Sequence, residues 1–461
     1  MSVKGTFILP HPPLIIPEIG KGQEDGIRDT IESCHYCALR IAALRPQTIV
    51  VVSPHTTLYQ DYFHISPGKQ AKGDFSEFRA GKVVIEASYD TSFVETLEKH
   101  SARQGISAGT MGERQPLLDH GTMIPLYFIN QHYRDYKLVR IGLSGFDSTE
   151  HYRLGMCITE TADMLNRDIV LIASGDLSHK LLAEGPYGYT EEGPAFDRQV
   201  TQAMEQGDFL KFLTFDEDFL EKAAECGLKS FQIMAGTLDK KDVDSRLLSY
   251  EGPFGVGYGA AAFIPTGDNE ERAFLTRYLA AESDRRKKLR ASESIQVALA
   301  RNTLEQYIRT GQVPSLPAEL PGELLDQKAA TFVSIKKNGR LRGCIGTLMP
   351  VSDCIGEEIL NNAISAGTTD PRFDPVQIEE LDELEYSVDV LSLPEPIADA
   401  SCLDVKKYGV IVSKGSKRGV LLPDLAGVDT VDEQIRIACQ KAGIREKESV
   451  KLERFEVIRY Q

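Results

Sequence analysis

The chain has 461 residues, of which 42% are hydrophobic and 26% are charged, and these proportions exclude a disordered or fibrous chain. A formal net charge of −16 argues against double-stranded nucleic acid as a partner, because phosphate backbones would repel the chain. No apolar run is long enough for a membrane span or for the apolar core of a signal peptide, so we expect a cytoplasmic protein without a membrane partner.

The first part of the chain alternates β-branched runs with helical patterns, which is typical of an α/β domain. Predicted strands lie at 6–9, 48–53, 62–66, 82–87, 137–143 and 169–173. Predicted helices lie near 22–44, 90–102, 120–133, 149–166, 192–206 and 217–239. The glycine-rich segment 245–265 is expected to close the domain with a turn and a tightly packed strand. We therefore predict a first domain over 1–265, with helices on a central sheet.

A charged stretch over 266–290 is predicted to be a helical connection with a solvated face. Beyond it, 291–461 has the pattern of an α+β domain. Its predicted helices lie near 292–308, 354–366 and 430–442, and its predicted strands at 331–336, 340–348, 386–393 and 452–460. The pair Asn338-Gly339 is typical of a tight hairpin turn, and a second hairpin is expected around 414–417.

The eight cysteines are too dilute for a disulfide framework in a chain of this length. Cys34 and Cys37 have C-x-x-C spacing, but they fall inside a predicted helix and no second pair accompanies them. We therefore expect buried helix thiols here, rather than a metal or redox site.

The histidines are concentrated in one half of the chain, since all nine fall within the first 179 residues. His11 and His55 each follow a predicted strand and have a proline beside them, and His179 follows a third strand. Ligands of open α/β sheets gather at the carboxyl ends of the strands. We therefore expect these three histidines to converge on one edge of the sheet.

Further polar side chains flank two predicted helical stretches. His120 opens the helix at 120–133, with Asp119 available as its N-cap or as a hydrogen-bond partner for the ring. Glu225 and Cys226 precede the apolar part of the last helical stretch. Two neutral imidazoles and one carboxylate with open positions form the donor set of non-haem Fe(II) sites. Zinc takes the same residue types, so composition alone leaves the metal open.

Five short motifs occur in an order and approximate spacing that resemble those of the class III extradiol ring-cleavage dioxygenases and their Memo-type relatives, over about 1–265: His11, Ser53-Pro54-His55, Asp119-His120-Gly121, Leu177-Ser178-His179 and Glu225-Cys226-Gly227. The resemblance implies a dioxygenase-like α/β domain that uses Fe(II) and O2 on a catechol-like or related small aromatic substrate. It implies the following roles: His11, His55 and Glu225 as metal ligands, His179 as the acid/base residue, and His120 as a substrate-side hydrogen-bonding residue.

Two positions resemble the Memo-type pattern instead. Asp176 stands three residues before His179, where we expect it to accept a hydrogen bond from that ring. Cys226 competes with Glu225 for the third ligand position. We favour Glu225 because a hard carboxylate suits Fe(II), whereas a thiolate suits copper or zinc. The alternative function is therefore a Memo-type metal-binding or protein-binding module without ring cleavage.

The second domain carries the string Leu341-Arg342-Gly343-Cys344-Ile345-Gly346-Thr347. With two further motifs, 370–373 and 419–423, it resembles the AMME-syndrome candidate domain family, also called AmmeMemoRadiSam system protein A, over about 285–461. The fused order then resembles AmmeMemoRadiSam system protein B, as the first domain, followed by system protein A, and this resemblance implies a radical SAM protein as a partner. The sequence leaves homo-oligomerisation open.

The string offers two glycines for a bulge or a close backbone approach, the planar guanidinium of Arg342 and the thiol of Cys344. A thiol nucleophile needs a base, and this domain contains no histidine. We therefore expect a structural strand, with binding of an anionic or nucleotide-like group and thiol catalysis as the alternatives.

Overall fold

A computed structural model of the chain describes residues 2–337, 339–425, 427–445 and 449–461. These residues form two compact units, which divide between Ala281 and Glu282. The division falls inside the helix Phe274–Ser292, within the charged stretch that we expected to connect the domains. No helix in the described ranges combines the length and apolar character needed to cross a membrane.

The first unit is built on a large, mostly parallel sheet. Its strands are β1 Val3–Leu9, β2 Thr48–Ser53, β3 Phe63–His64, β4 Gln70–Phe75, β5 Ala80–Tyr89, β6 Ala108–Gly109, β7 Lys137–Gly142, β8 Ile169–Ser174, β9 Lys241–Glu251 and β10 Tyr258–Asp268. The order in the sheet is β4-β5-β7-β2-β8-β1-β10-β9, and β3 pairs with β6 apart from it. The strands β5, β7, β2, β8 and β1 run parallel, and antiparallel strands flank them on both sides.

Helices connect these strands. They are α1 Pro17–Gly20, α2 Arg28–Leu44, α3 Thr91–Arg103, α4 His120–Ile129, α5 Ser148–Met164, α6 Glu192–Gln206, α7 Phe209–Leu213, α8 Glu217–Ala223, α9 Leu228–Gly236 and α10 Phe274–Ser292. Cys34 and Cys37 lie in α2 as buried thiols, as expected, and burial raises the pKa of Cys34 to about 12.

The central strands are mostly apolar because both faces of the sheet are covered. In β2, Val50 and Val52 belong to the apolar core on one face, whereas Ile49 and Val51 belong to the core on the other. Side chains alternate along a strand, so a strand that is buried on both sides is apolar at most positions of both faces. The α/β class predicted for this unit is confirmed.

One predicted helix is wrong. The stretch 217–239 does not form a single helix, because α8 ends at Ala223 and α9 begins only at Leu228. Ala224 ends α8 in the left-handed conformation, with φ of 51°, and the chain changes direction there. The break carries Glu225 and Cys226 out of the helical register. Strand β4 was not predicted at all.

The second unit is α+β, as predicted. Its strands are β11 Ala330–Lys337, β12 Arg340–Gly346, β13 Leu384–Leu391, β14 Glu395–Ile397, β15 Tyr408–Lys414, β16 Lys417–Leu421 and β17 Lys451–Tyr460. All their pairings are antiparallel, in the order β12-β11-β13-β17-β15-β16, with β14 on β17. The helices are α11 Ile295–Thr310, α12 Gly322–Asp326, α13 Ile355–Thr368 and α14 Val431–Lys441. In the predicted turn, Asn338 lies outside the described residues.

Candidate metal centre

The site is formed where three parallel strands end side by side. Leu9 at the end of β1 is in register with Ser174 at the end of β8, and β8 pairs in turn with β2. His11 and His55 stand two residues beyond the ends of β1 and β2. Because parallel strands end at the same edge of a sheet, these side chains converge, as the sequence predicted.

His11, His55 and Cys226 form a compact group of possible ligands. His11 Nε2 lies 2.9 Å from His55 Nε2 and 3.8 Å from Cys226 Sγ. All three donor atoms lie within 4.8 Å of one another. His11 is buried, Cys226 is half-buried and His55 is exposed, so the group opens to solvent on the His55 side. Two imidazoles and a thiol are a donor set that suits iron, copper and zinc.

The tautomer of His11 follows from its hydrogen bonds. The Ser174 hydroxyl donates its only proton to the Gly121 carbonyl at 2.6 Å. Its oxygen therefore accepts from His11 Nδ1–H, at 2.8 Å, and Nε2 keeps a lone pair for a metal. Burial, followed by the charge of His55, lowers the pKa of His11 well below its usual value. The ring is therefore a neutral donor at pH 7.

Asp119 and Ser53 fix the loop that carries His55. The backbone N–H of His55 donates to the Ser53 hydroxyl at 3.2 Å, and that hydroxyl donates to Asp119 at 2.5 Å. Asp119 also caps α4 by accepting from Thr122 N at 3.0 Å, so of the two roles expected for it the N-cap is the one observed. Burial lowers the pKa of His55, although the nearby negative charge of Asp119 opposes that shift.

The ring of His120 lies beside the two histidines. Its centroid is 4.1 Å from that of His55 and 5.5 Å from that of His11. Phe78 contacts it edge to face, with centroids 5.4 Å apart. Burial, with the neighbouring His55 and His11, lowers the pKa of His120 to about 3. This ring is therefore neutral and forms part of the wall of the site.

Asp176 holds the His11 backbone from the neighbouring strand end. Its Oδ1 accepts from His11 N at 2.8 Å, and its Oδ2 lies 3.9 Å from His11 Nε2. Burial raises the pKa of Asp176 to about 6, although the hydrogen bond from His11 opposes that shift. A carboxylate thus stands at the edge of the three-donor group.

The geometry does not bring Glu225, our preferred third ligand, into the donor group of His11 and His55. Glu225 accepts from the backbone N–H of Leu228 at 2.6 Å and caps the start of α9, and it does not belong to the donor group. Cys226, the next residue along, approaches His11 instead. Burial raises the pKa of Cys226 well above its usual value, so the metal-free protein carries a thiol at pH 7.

A contact between two glycines brings Cys226 into place. A Cβ on Gly175 would lie 2.2 Å from Gly227 Cα, so the end of β8 and the loop before α9 touch backbone to backbone. Cys226 Sγ then sits 3.7 Å from the Asp176 carbonyl oxygen. No side chain larger than hydrogen fits between these segments.

We expect Gly175→Ala to displace Cys226, because the added methyl group has no space. The free energy of unfolding should fall by about 1–3 kcal/mol, the usual effect of overpacking, and metal affinity should fall with it. Urea unfolding and metal titration measure both. Gly267→Ala is the matched control, since among the described residues no heavy atom lies within 4 Å of its Cβ position. Wild-type stability and affinity in Gly175→Ala would contradict this account of the contact.

His179 is oriented by the helix break, not by Asp176 as we expected. Its Nδ1 donates to the Ala224 carbonyl at 2.6 Å, which leaves Nε2 to accept a proton. Its charge lowers the pKa of both His11 and His55, which places it within electrostatic range of the donor group. The hydrogen bond that we expected from the His179 ring to Asp176 is not found among the described residues, and the Nδ1–H of the ring goes to the Ala224 carbonyl.

Sequence reasoning missed Ser174 and the Gly175–Gly227 contact. Ser174 determines which nitrogen of His11 is free, and the glycines determine which residue of the Glu-Cys pair reaches the site. The only local signal was the Ser-Gly pair at the end of an apolar strand.

In the second unit, close packing explains the glycines of the 341–347 string. A Cβ on Gly343 would lie 2.1 Å from the Ala366 carbonyl oxygen, and one on Gly346 would lie 2.3 Å from the Phe332 ring. The pairing of β11 with β12 shifts by one residue at Arg342, so the strand contains the expected bulge.

The polar side chains of the string are engaged inside the unit. Arg342 makes a two-point contact with Glu380, at 3.0 and 2.9 Å, and donates to the Asp374 carbonyl at 2.9 Å. Cys344 Sγ lies 3.2 Å from the Ser334 hydroxyl. These contacts favour the structural role over anion binding by Arg342.

Comparison with known families gives two matches. Residues 5–261 match the family described as the catalytic LigB subunit of aromatic ring-opening dioxygenase. Residues 297–461 match the AMMECR1 family. The two matched segments account for the two units of the structure and agree with the resemblances drawn from the sequence motifs.

Related proteins match this chain over its full length or over about a third of it. Protein CA_C1420 of Clostridium acetobutylicum is 42% identical over the full length of both chains. A protein of Thermotoga maritima is 52% identical over 36% of this chain and 96% of its own length. Among solved structures, PH0010 of Pyrococcus horikoshii is 33% identical, covers 36% of this chain and 88% of its own, and has a TM-score of 0.33.

Proposed function

Because the chain belongs to the LigB family of ring-opening dioxygenase subunits and carries an AMMECR1 domain, we propose that its first unit is an Fe(II)-dependent oxidoreductase for a catechol-like or related small aromatic. The observation that carries the proposal is the convergence of His11, His55 and Cys226 at the edge of the parallel sheet. A cytoplasmic location and a radical SAM partner protein stay predictions.

The residues present fit a mononuclear metal ion. His11 Nε2 carries a lone pair, His55 Nε2 faces it at 2.9 Å, and Cys226 completes three donors on the sheet edge. When bound, Fe(II) would supply a site where substrate and O2 meet and a path for electrons between them. Asp176, beside His11, is the carboxylate that would add a hard oxygen to this set.

Two histidines of the chain handle protons and position the substrate in this proposal. His179 keeps Nε2 as an acceptor because the Ala224 carbonyl holds Nδ1–H, so it is placed to take a phenolic proton. His120 is neutral, and its ring nitrogens can make a hydrogen bond with a substrate oxygen without introducing charge. Phe78 provides an aromatic surface beside it.

A second function is favoured by one observation, the use of a thiol in the donor group in place of Glu225. Thiolate ligands suit copper and zinc better than they suit iron in open oxygenase sites. The same three residues would then form a metal-binding module without ring cleavage.

One experiment distinguishes the two functions. Purified protein is reconstituted anaerobically with Fe(II), freed of excess metal, and assayed for O2 consumption over a panel of catechols and aminophenols. We expect the wild-type chain to retain iron and the Cys226→Ser chain to lose it. Substrate-dependent O2 uptake is expected in the wild-type chain and not in Cys226→Ser. Retention of copper or zinc with no O2 uptake over the panel would overturn it in favour of the binding module.

We expect metal affinity to rise with pH. The raised pKa of Cys226 means that a proton must leave the thiol on binding, whereas the lowered pKa values of His11 and His55 keep both rings neutral. One released proton gives about a tenfold gain in affinity per pH unit. Zn²⁺ titrations between about pH 6.5 and about pH 8 measure the slope. A slope that is unchanged in Cys226→Ser would show that another group releases the proton.

A further inference from the structure

A second group of ligating side chains lies away from the strand ends, between α3 and α5. It consists of His100 on α3 with Cys157 and Glu160 on α5, and none of the three shares an element with the candidate metal centre. The imidazole nitrogen, the sulfur and a carboxylate oxygen all lie within 4.8 Å of one another. We propose that these residues bind a divalent transition metal ion of the zinc type.

Helices α3 and α5 bring the three side chains close together. Cys157 and Glu160 are three residues apart on α5, which places them on one face of the helix. His100 approaches from α3, with Nε2 2.5 Å from Glu160 Oε2. Ligands held on two packed helices are positioned more rigidly than ligands on loops.

The donor chemistry suits a zinc-type ion. Imidazole, thiolate and carboxylate are the three ligand types of protein zinc sites. A thiolate and a carboxylate together neutralise a divalent cation, so no net charge is left in a partly buried position. Three protein ligands leave a fourth position for water or for a further ligand.

The adjustments needed for binding are small. Tetrahedral zinc with bonds of about 2.0–2.3 Å sets its ligand atoms about 3.3–3.8 Å apart, so the His100–Glu160 contact must lengthen by roughly 1 Å. The Glu160 side chain is 48% exposed and can make that movement, and it also gives an entry path from solvent. Cys157 is 3% exposed and closes the inner side. A bound ion would link α3 to α5.

The test uses the full chain with Cys226→Ser, so that the candidate metal centre contributes no thiolate. Co²⁺ is added anaerobically, because thiolate ligation gives Co²⁺ a near-ultraviolet charge-transfer band. We expect this band to appear, to be displaced by Zn²⁺, and to disappear when Cys157→Ser is added. Absence of the band, or a band that survives Cys157→Ser, would overturn the proposal whatever the function of the first centre.

Cys157 is packed inside the unit, so Cys157→Ser could lose the metal because the chain misfolds. A variant at an exposed ligand avoids this difficulty. Glu160→Gln keeps the size of an exposed side chain and removes the charged ligand. In the Cys226→Ser background it should weaken Co²⁺ binding by at least about tenfold while the circular dichroism spectrum stays unchanged. The matched control is Lys99→Gln, which changes a neighbouring charged residue outside the group. It should leave the affinity for Co²⁺ unchanged. Equal affinity with and without Glu160 would contradict the assignment.

Discussion

Replacement of Cys226 by Ser, or of His11 by Ala, should abolish tight binding of metal at the sheet edge. Each substitution removes one of three donors from a site that opens to solvent at His55. Loss of a direct ligand should weaken binding by more than the roughly 10–100-fold typical of residues that only support ligands. Metal analysis of protein reconstituted with about one equivalent, followed by a chelator competition, measures the effect.

Glu225→Gln is the control for this prediction. It keeps an oxygen that can accept from Leu228 N, so the start of α9 stays capped while the carboxylate is lost. We expect wild-type metal affinity in this variant. Loss of metal from Glu225→Gln with retention in Cys226→Ser would reverse the assignment and restore the carboxylate as the third ligand.

His179→Gln should spare the metal and abolish most of the turnover. The amide keeps a hydrogen-bonding end for the Ala224 carbonyl but cannot take up a proton at neutral pH. A missing general acid or base reduces rates by roughly 10²–10⁴-fold. Metal content is measured beside O2 uptake with whichever substrate the panel identifies. A metal-free His179→Gln chain would make His179 a ligand, and a fully active one would move proton transfer to His120.

Asp176→Asn separates proton transfer from support of His11. Asp176 accepts from the His11 backbone and has no hydrogen bond to the His179 ring, so its replacement should act mainly on metal affinity. We expect a smaller loss of turnover than in His179→Gln once both proteins are fully loaded. A larger loss at full metal loading would show that Asp176 takes part in proton transfer.

The convergence of His11 and His55 could be predicted because it depends on local information. Apolar, β-branched runs mark β1, β2 and β8, and a parallel sheet places all their carboxyl ends on one edge. A polar residue just beyond one of these strands therefore lies near the polar residues that follow the neighbouring strands, and this proximity does not depend on the loop conformations. Local information also predicted the close approaches at the glycines of the 341–347 string, because glycine allows a bulge or a close backbone contact, and these approaches are observed.

The approach of Cys226 to His11 could not be predicted, because it depends on a contact between distant segments. The apolar spacing over 217–239 continues through the break, and Ala224 gives no local sign of its positive φ. Which residue of the Glu225-Cys226 pair faces the site follows from the approach of Gly227 to Gly175 across the fold. The group around His100 was missed for the same reason, since it depends on how two helices pack.

X-ray absorption at the iron edge shows directly whether Cys226 is a ligand of bound iron. Protein with Glu160→Gln, so that the second group does not compete, is loaded anaerobically with about one equivalent of Fe(II). We expect one sulfur and two imidazoles among the iron ligands, and loss of the sulfur when Cys226→Ser is added. A ligand shell of nitrogen and oxygen alone, unchanged by Cys226→Ser, would contradict this expectation.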